Sequence, residues 1–284
     1  MSEPPSSSPP TGTETPCVPS FGFLRREPAV EAAASMTNRH AGGEQQIVRI
    51  LHDLHDLLGE RKRITRAMRE TQVRALRHLM LVSAQREAGG LQHCLRVGAL
   101  SALLGDALGE PPAWCDALFD AATVHDLGNF FVPAALLRKT GPLTMPEWRR
   151  VRDHTIQGAR MLDDGDSPLD ALAAEIALNH HEKWDGSGYP AGRAGSNIPL
   201  SGRIVAVADF VDSLGLASGY RKALPATEIF ALLELASGAQ FDPRVVSAMY
   251  ALSPCLARVR ELAAACAANL SKRPDYPPWW RDAR

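Results

Sequence analysis

Seven residues of this chain could do chemistry together: His93, the adjacent pair His125–Asp126, His154, the adjacent pair His180–His181, and Asp209. Imidazole and carboxylate in one set suit iron, manganese or zinc. Any one of them alone reads as a hydrogen-bonded histidine or a helix cap. Their recurrence, roughly every thirty residues at the polar end of an apolar run, is what a helical bundle needs to bring ligands to one internal point. Neighbouring residues on a helix diverge by about 100°, so His125–Asp126 suits two metals or a carboxylate that bridges them.

The elements that must hold these residues read as helices. Ala117–Phe119, Ala121–Ala122 and Val124 form an apolar helix ending at His125, and the helix 171–178 ends at His180. Thr144 with Glu147 three residues on, and Pro146 in the first turn, forms a capping box that starts the helix before His154. Pro168, Pro225 and Pro243 mark further helix starts. The run Ile204–Ala208 has a strand's composition, but it ends at Asp209 inside an all-helical pattern and is assigned as helix. No alternating run is long enough for a sheet. After His180–His181 the chain reads Glu-Lys-Trp-Asp-Gly-Ser-Gly-Tyr-Pro, too glycine-rich to stay helical past Trp184. A polar and aromatic loop directly after two candidate ligands reads as the rim of the site. Tyr189 either packs that loop or meets the substrate or a partner.

The 284 residues are 45% hydrophobic with a formal net charge of −1, which supports a globular core and excludes a strong pull toward nucleic acid or a membrane surface. No apolar run reaches the roughly 18 residues of a membrane span, and the N-terminus lacks the order of a signal peptide, so a cytoplasmic protein is expected. Cys17, Cys94, Cys115, Cys255 and Cys266 form no CxxC and read as buried free thiols. Residues 1–43 read as a disordered Ser/Pro-rich tail. Residues 44–88 form an amphipathic helical linker with Ile47, Ile50, Leu51, Leu54, Leu57 and Leu58 on one stripe. That stripe pairs with its twin in a homodimer or packs on its own domain. The catalytic domain is expected over 89–270, followed by a tail at 271–284 whose apolar Asp275–Trp280 segment folds back on the domain, with docking of a partner as the alternative.

These residues resemble, in order, the HD-GYP family, a subgroup of the HD-type metal-dependent phosphohydrolases. The match runs through His93-Cys94-Leu95-Arg96-Val97, His125-Asp126-Leu127-Gly128, Lys139–Thr144, Glu147-Trp148, His154 with Gly158 and His180-His181-Glu182. It continues through Asp185-Gly186-Ser187-Gly188-Tyr189-Pro190, Ile198-Pro199-Leu200, Arg203-Ile204, Ala208-Asp209, Tyr220–Ala223 and Phe241-Asp242-Pro243. The resemblance implies an all-α helical bundle and hydrolysis of cyclic di-GMP to pGpG or GMP by a hydroxide held between metals. His93, His125, Asp126, His154, His180, His181 and Asp209 are the implied ligands of two divalent ions, iron or manganese, with His125 and Asp126 at the catalytic centre. Arg221, Tyr189, Gly188, Asn129 and Lys183 are the implied substrate contacts. Diguanylate cyclases of the GGDEF type and other signalling proteins are implied partners; no nucleic-acid polymer is.

Three positions depart from the family's pattern. Asn129 stands where a lysine usually meets the substrate phosphate, Ser218 replaces an arginine with Gly219 in place of a proline, and Gly89 replaces the glutamate of three-metal members. Two metals are therefore expected. The first two changes also fit a non-catalytic signalling module, or a hydrolase of another nucleotide or phosphoester.

Overall fold

The computed structural model describes residues 28–86, 89–163, 167–216, 222–270 and 279–284, with side chains from residue 46 onward. The chain divides into two units, Met1–Arg63 and Ile64–Arg284. Helix α1 runs through Pro28–Ser83. It starts inside the segment assigned by composition to the tail, where the Ala-rich run after Pro28 is a good helix former. In the first unit the stripe Ile47–Leu58 lies on the surface, with Leu57 63% exposed.

The second unit holds the core. Its helices are α2 (Gly90–Ala107), α3 (Pro112–Ala122), α4 (Ala134–Leu137), α5 (Met145–Arg152), α6 (His154–Leu162), α7 (Pro168–Asn179), α8 (Leu200–Leu214), α9 (Ala226–Leu235), α10 (Pro243–Ala251) and α11 (Leu256–Leu270). No strand occurs among the described residues beyond one isolated bridge between Ser237 and Phe241. The fold is all-α, as the spacing predicts. None of these helices is long and apolar enough to cross a membrane.

Helix α2 is the axis. Every residue from His93 to Gly105 is buried, the mark of a helix that is apolar on all sides and packed on all sides. It packs against α3, α8 and α11, while α7 packs against α3, α6 and α8. The predicted helix starts hold. Thr144 N–H donates to Glu147 Oε2 at 2.7 Å, and Ser167 Oγ accepts from Asp170 N–H ahead of Pro168. Ile204–Ala208 lies in the middle of α8, whose end is Leu214 rather than Asp209.

At the C-terminus Trp279 and Trp280 are buried, and Trp279 meets Phe119 edge-on at 5.7 Å. Cys94 and Cys115 are buried, whereas the free thiols of Cys255 and Cys266 are only half-buried; Cys17 lies outside the described residues. Leu76 and Met80, at the end of α1, join the core.

The core assignment predicts a contrast. Met80 is 0% exposed and Leu235 82%. Met80→Ala should lower unfolding free energy by about 2–5 kcal/mol, and Leu235→Ala should leave it within about 0.5 kcal/mol, as read by urea denaturation.

Candidate metal centre

Helix ends deliver most of the candidate ligands. The last carbonyls of a helix have acceptor capacity to spare, and three histidine rings donate into it. His125 Nδ1 lies 3.0 Å from Ala122 O just past α3. His154 Nδ1 lies 2.7 Å from Val151 O at the end of α5. His180 Nδ1 lies 3.0 Å from both Ile176 O and Ala177 O at the end of α7. A carbonyl only accepts, so each Nδ1 carries a proton and each Nε2 faces inward.

His125 and Asp126 sit in a turn beyond α3 rather than on the helix, because the chain there tightens into the 3₁₀ turn Leu127–Phe131. That turn packs on α6. The contact requires glycine at 128, since a Cβ there would collide with the His154 carbonyl oxygen and lie 2.7 Å from Gly158 N. This approach sets Asp126 Oδ1 3.1 Å from His154 Nε2 and 3.5 Å from His180 Nε2. Its other oxygen, Oδ2, is 3.9 Å from His125 Nε2.

The donor atoms fall into two adjoining groups. Asp126, His154, His180 and His181 form one, and His93, His125 and Asp209 the other, with the ligand atoms of each within 4.8 Å of one another. His93 Nε2 is 3.4 Å from Asp209 Oδ1. The rings of His93 and His125 are 5.6 Å apart, and those of His125 and His180 5.3 Å, so the groups are neighbours.

Two observations fit metal ions to this place. His125 Nε2 and Asp126 Oδ1 are buried with no hydrogen-bond partner, a costly state that a cation relieves. The protonation states also suit ligation. Burial, then the neighbouring His180, pushes His181 well below the ordinary imidazole range, and burial lowers His180. Burial opposes ionisation of Asp126, but the imidazoles around it, His125 first, hold its carboxyl well below its usual value. His154 goes the other way: against burial, the hydrogen bond to Asp126 raises it above the ordinary imidazole range, and a cation beside Asp126 would displace that proton, since neutral imidazole and ionised carboxylate are the forms that bind a metal.

A cavity of 210 Å³ opens on this centre, lined among others by His180, His181, Lys183, Tyr189 and Asp209. Tyr189 stacks on His181 at 4.9 Å and 27°, and the Arg152 guanidinium lies 4.8 Å over the tyrosine ring. Gly188 and Asn129 lie outside that lining. Gly188 packs its backbone on Glu182 and Lys183, where a Cβ would clash. Asn129 is buried in the turn after Asp126, to whose carbonyl its N–H donates at 2.9 Å. Arg221 and Ser218 lie outside the described residues.

Sequence reasoning missed two partners. Asp212 and Arg96 hold His93 from behind, with Asp212 Oδ2 2.7 Å from His93 Nδ1 and Arg96 Nε 2.6 Å from Asp212 Oδ1. The available signal was their spacing, three residues after Asp209 and three after His93. Glu182 was quoted only as motif. Its carboxylate accepts from Ala191 N–H at 2.7 Å and Arg193 N–H at 3.0 Å, closing the loop beyond His181.

A buried helical domain that gathers imidazoles and carboxylates from five separate segments is a histidine–aspartate metal-site domain. The chain belongs to the HD domain family, whose model matches residues 45–245, and within it to the HD-GYP group. A cyclic di-GMP phosphodiesterase of Thermotoga maritima is 40% identical over 174 residues, covering 61% of this chain and 47% of that protein. The cyclic di-GMP phosphodiesterase response regulator RpfG of Xanthomonas campestris is 35% identical, covering 66% and 50%. A 3'3'-cGAMP-specific phosphodiesterase of Vibrio cholerae is 37% identical, covering 57% and 30%. The chain thus spans half or less of the length of these relatives. A solved cyclic GMP-AMP specific phosphodiesterase of Vibrio cholerae shares the fold at a TM-score of 0.50 and 17% identity, covering 68% of this chain and 53% of that one.

The close approach at Gly128 is directly testable. Gly128→Ala should cost about 1–3 kcal/mol by overpacking. The control Gly59→Ala, with nothing within 4 Å of the added methyl, should lower stability by none of it. Thermal unfolding of the two variants reads the difference.

Proposed function

We propose that this chain is a two-metal phosphodiesterase that hydrolyses cyclic di-GMP to pGpG or GMP. The observation that carries the reading is the meeting of two ligand groups at Asp126, whose oxygens face His154 and His180 on one side and His125 on the other. Two divalent ions, iron or manganese, would be held by His93, His125 and Asp209 and by His154, His180 and His181 with Asp126 between. When bound they supply a nucleophile at neutral pH and offset the charge that develops on the phosphoryl oxygens.

The chain's own residues do the rest. His125, His154 and His180 bind main-chain carbonyls through Nδ1, so Nε2 is the ring atom each offers to a cation. The 210 Å³ cavity is below the roughly 300–1,000 Å³ that envelops a whole drug-sized ligand. It suits one phosphodiester and its adjoining groups, with the rest of a cyclic dinucleotide outside. Lys183 brings a cation to the wall. Arg152, above Tyr189, brings a second to the rim. Arg221 and Gly188 remain contacts by resemblance. A cyclic dinucleotide messenger is a cytoplasmic molecule, and the proposed place of action is the cytoplasm. Diguanylate cyclases as partners, and pairing of two copies along the exposed stripe of α1, belong to the same reading.

A second substrate is favoured by the relatives that are specific for 3'3'-cGAMP. Both dinucleotides should therefore be offered to anaerobically purified protein, with bound metal measured and products followed by chromatography. The expected result is about two metals per chain and turnover of cyclic di-GMP, reduced by roughly a thousandfold or more in the His125→Ala/Asp126→Ala variant, the scale on which a catalytic unit is lost. Turnover of 3'3'-cGAMP alone would reassign the substrate. Bound metal without turnover of either would overturn the enzyme reading in favour of a binding module.

If Arg152 meets a substrate phosphate, its loss removes a charged hydrogen bond of about 1.5–3 kcal/mol. Arg152→Ala should then raise KM about tenfold or more while kcat stays near the parent value.

A further inference from the structure

We infer that Asp212, locked by Arg96, is the positioning residue that makes His93 a ligand, and that it governs one of the two metal positions without the other. The inference rests on the two-metal reading above. His93 differs from the other helix-end histidines in its support. The Nδ1 atoms of His125, His154 and His180 bind main-chain carbonyls, which no side-chain substitution removes. His93 lies within α2, where the helix keeps its own carbonyls, and its Nδ1 faces the Asp212 carboxylate at 2.7 Å instead.

Asp212 is one turn beyond Asp209 on α8, so a single helix face presents one carboxylate to each ring nitrogen of His93. Asp209 Oδ1 is 3.4 Å from Nε2 and Asp212 Oδ2 is 2.7 Å from Nδ1. Arg96, one turn beyond His93 on α2, fixes Asp212 with Nε at 2.6 Å from Oδ1 and Nη2 at 3.1 Å from Oδ2. His93, Arg96 and Asp212 are each only 4% exposed. A buried carboxylate answered by a two-pronged guanidinium holds its ionised form and its direction. It therefore fixes the proton of His93 on Nδ1 and turns Nε2 toward Asp209 and His125, and a carboxylate behind a ligating imidazole strengthens the ligand. Asp126, His154, His180 and His181 form the other group of ligand atoms, in which His154 and His180 rest on their own main-chain carbonyls.

The test uses Mn²⁺ on the full-length, metal-stripped protein, read by binding titration and electron paramagnetic resonance. Parent protein should bind two ions that couple magnetically. Asp212→Asn should weaken one ion about 10–100-fold, leave the other unchanged, and give the spectrum of isolated Mn²⁺. Because Asp212→Asn leaves Arg96 buried without a counter-charge, Arg96→Gln/Asp212→Asn is run beside it and should lose the same single ion with helical content intact. Two coupled ions at parent affinity in either folded variant overturn the inference, as does simultaneous loss of both. Parent protein that binds no Mn²⁺ overturns the two-metal reading itself, a result distinct from both.

Discussion

A carbonyl at the end of a helix has acceptor capacity to spare, and an imidazole carried in an apolar interior needs somewhere to put its N–H. These two meet three times in this domain, behind Ala122, Val151 and Ala177. Each meeting satisfies a buried ring N–H, which would cost roughly 1–3 kcal/mol if left alone. It also settles which ring nitrogen keeps its proton. The inward direction of the Nε2 atoms is thus a by-product of ordinary helix termination. Helices α3, α5 and α7 must end where they do for the site to exist, and their lengths are set from the inside.

The exception shows what the rule supplies. His93 sits in the first turn of the most buried element of the fold, at the end of a helix that offers N–H groups rather than carbonyls. There a side chain, Asp212, stands in for the helix end, and a second, Arg96, is needed to keep that side chain's charge tolerable in the core. The two halves of the centre therefore differ in kind. One rests its imidazoles on the main chain, and the other divides between the main chain at His125 and an ion pair between α2 and α8 at His93.

How much of this could be read beforehand follows the same division. The candidate ligands could be picked out because unlike residues, imidazole and carboxylate, interrupt apolar helical runs at regular intervals, and the fold brings them together. The helices were legible from Thr144, Pro168 and Pro243. The turn holding His125–Asp126 was not, because the tightening after Ala122 goes with the contact of Gly128 with the His154 carbonyl, 26 residues away and set by packing. Asp212 and Arg96 were hidden for another reason. A charged residue one helical turn from a ligand has the same spacing whether it faces solvent or the core, and only the crossing of α2 and α8 decides. Tyr189 was left between packing and function, and the stack on His181 beneath Arg152 gives it a place in both. The start of α1 at Pro28 escaped a reading that weighed proline and serine over the alanines that follow.

The loop after His181 is tied to a distant part of the chain. Trp184 N–H donates to Gln240 O at 3.1 Å and Asp185 N–H to Ala239 O at 2.8 Å, and Gln240 and Phe241 form part of the cavity wall. Every candidate ligand precedes residue 210, yet the wall that faces them is closed by residues some thirty positions later. A shortened gene product ending after Asp209 would thus keep the complete set of ligands and lose the chamber they open into. The smallest inheritable unit of this site is larger than its motif, and a sequence signature that stops at the last ligand would count broken copies as whole.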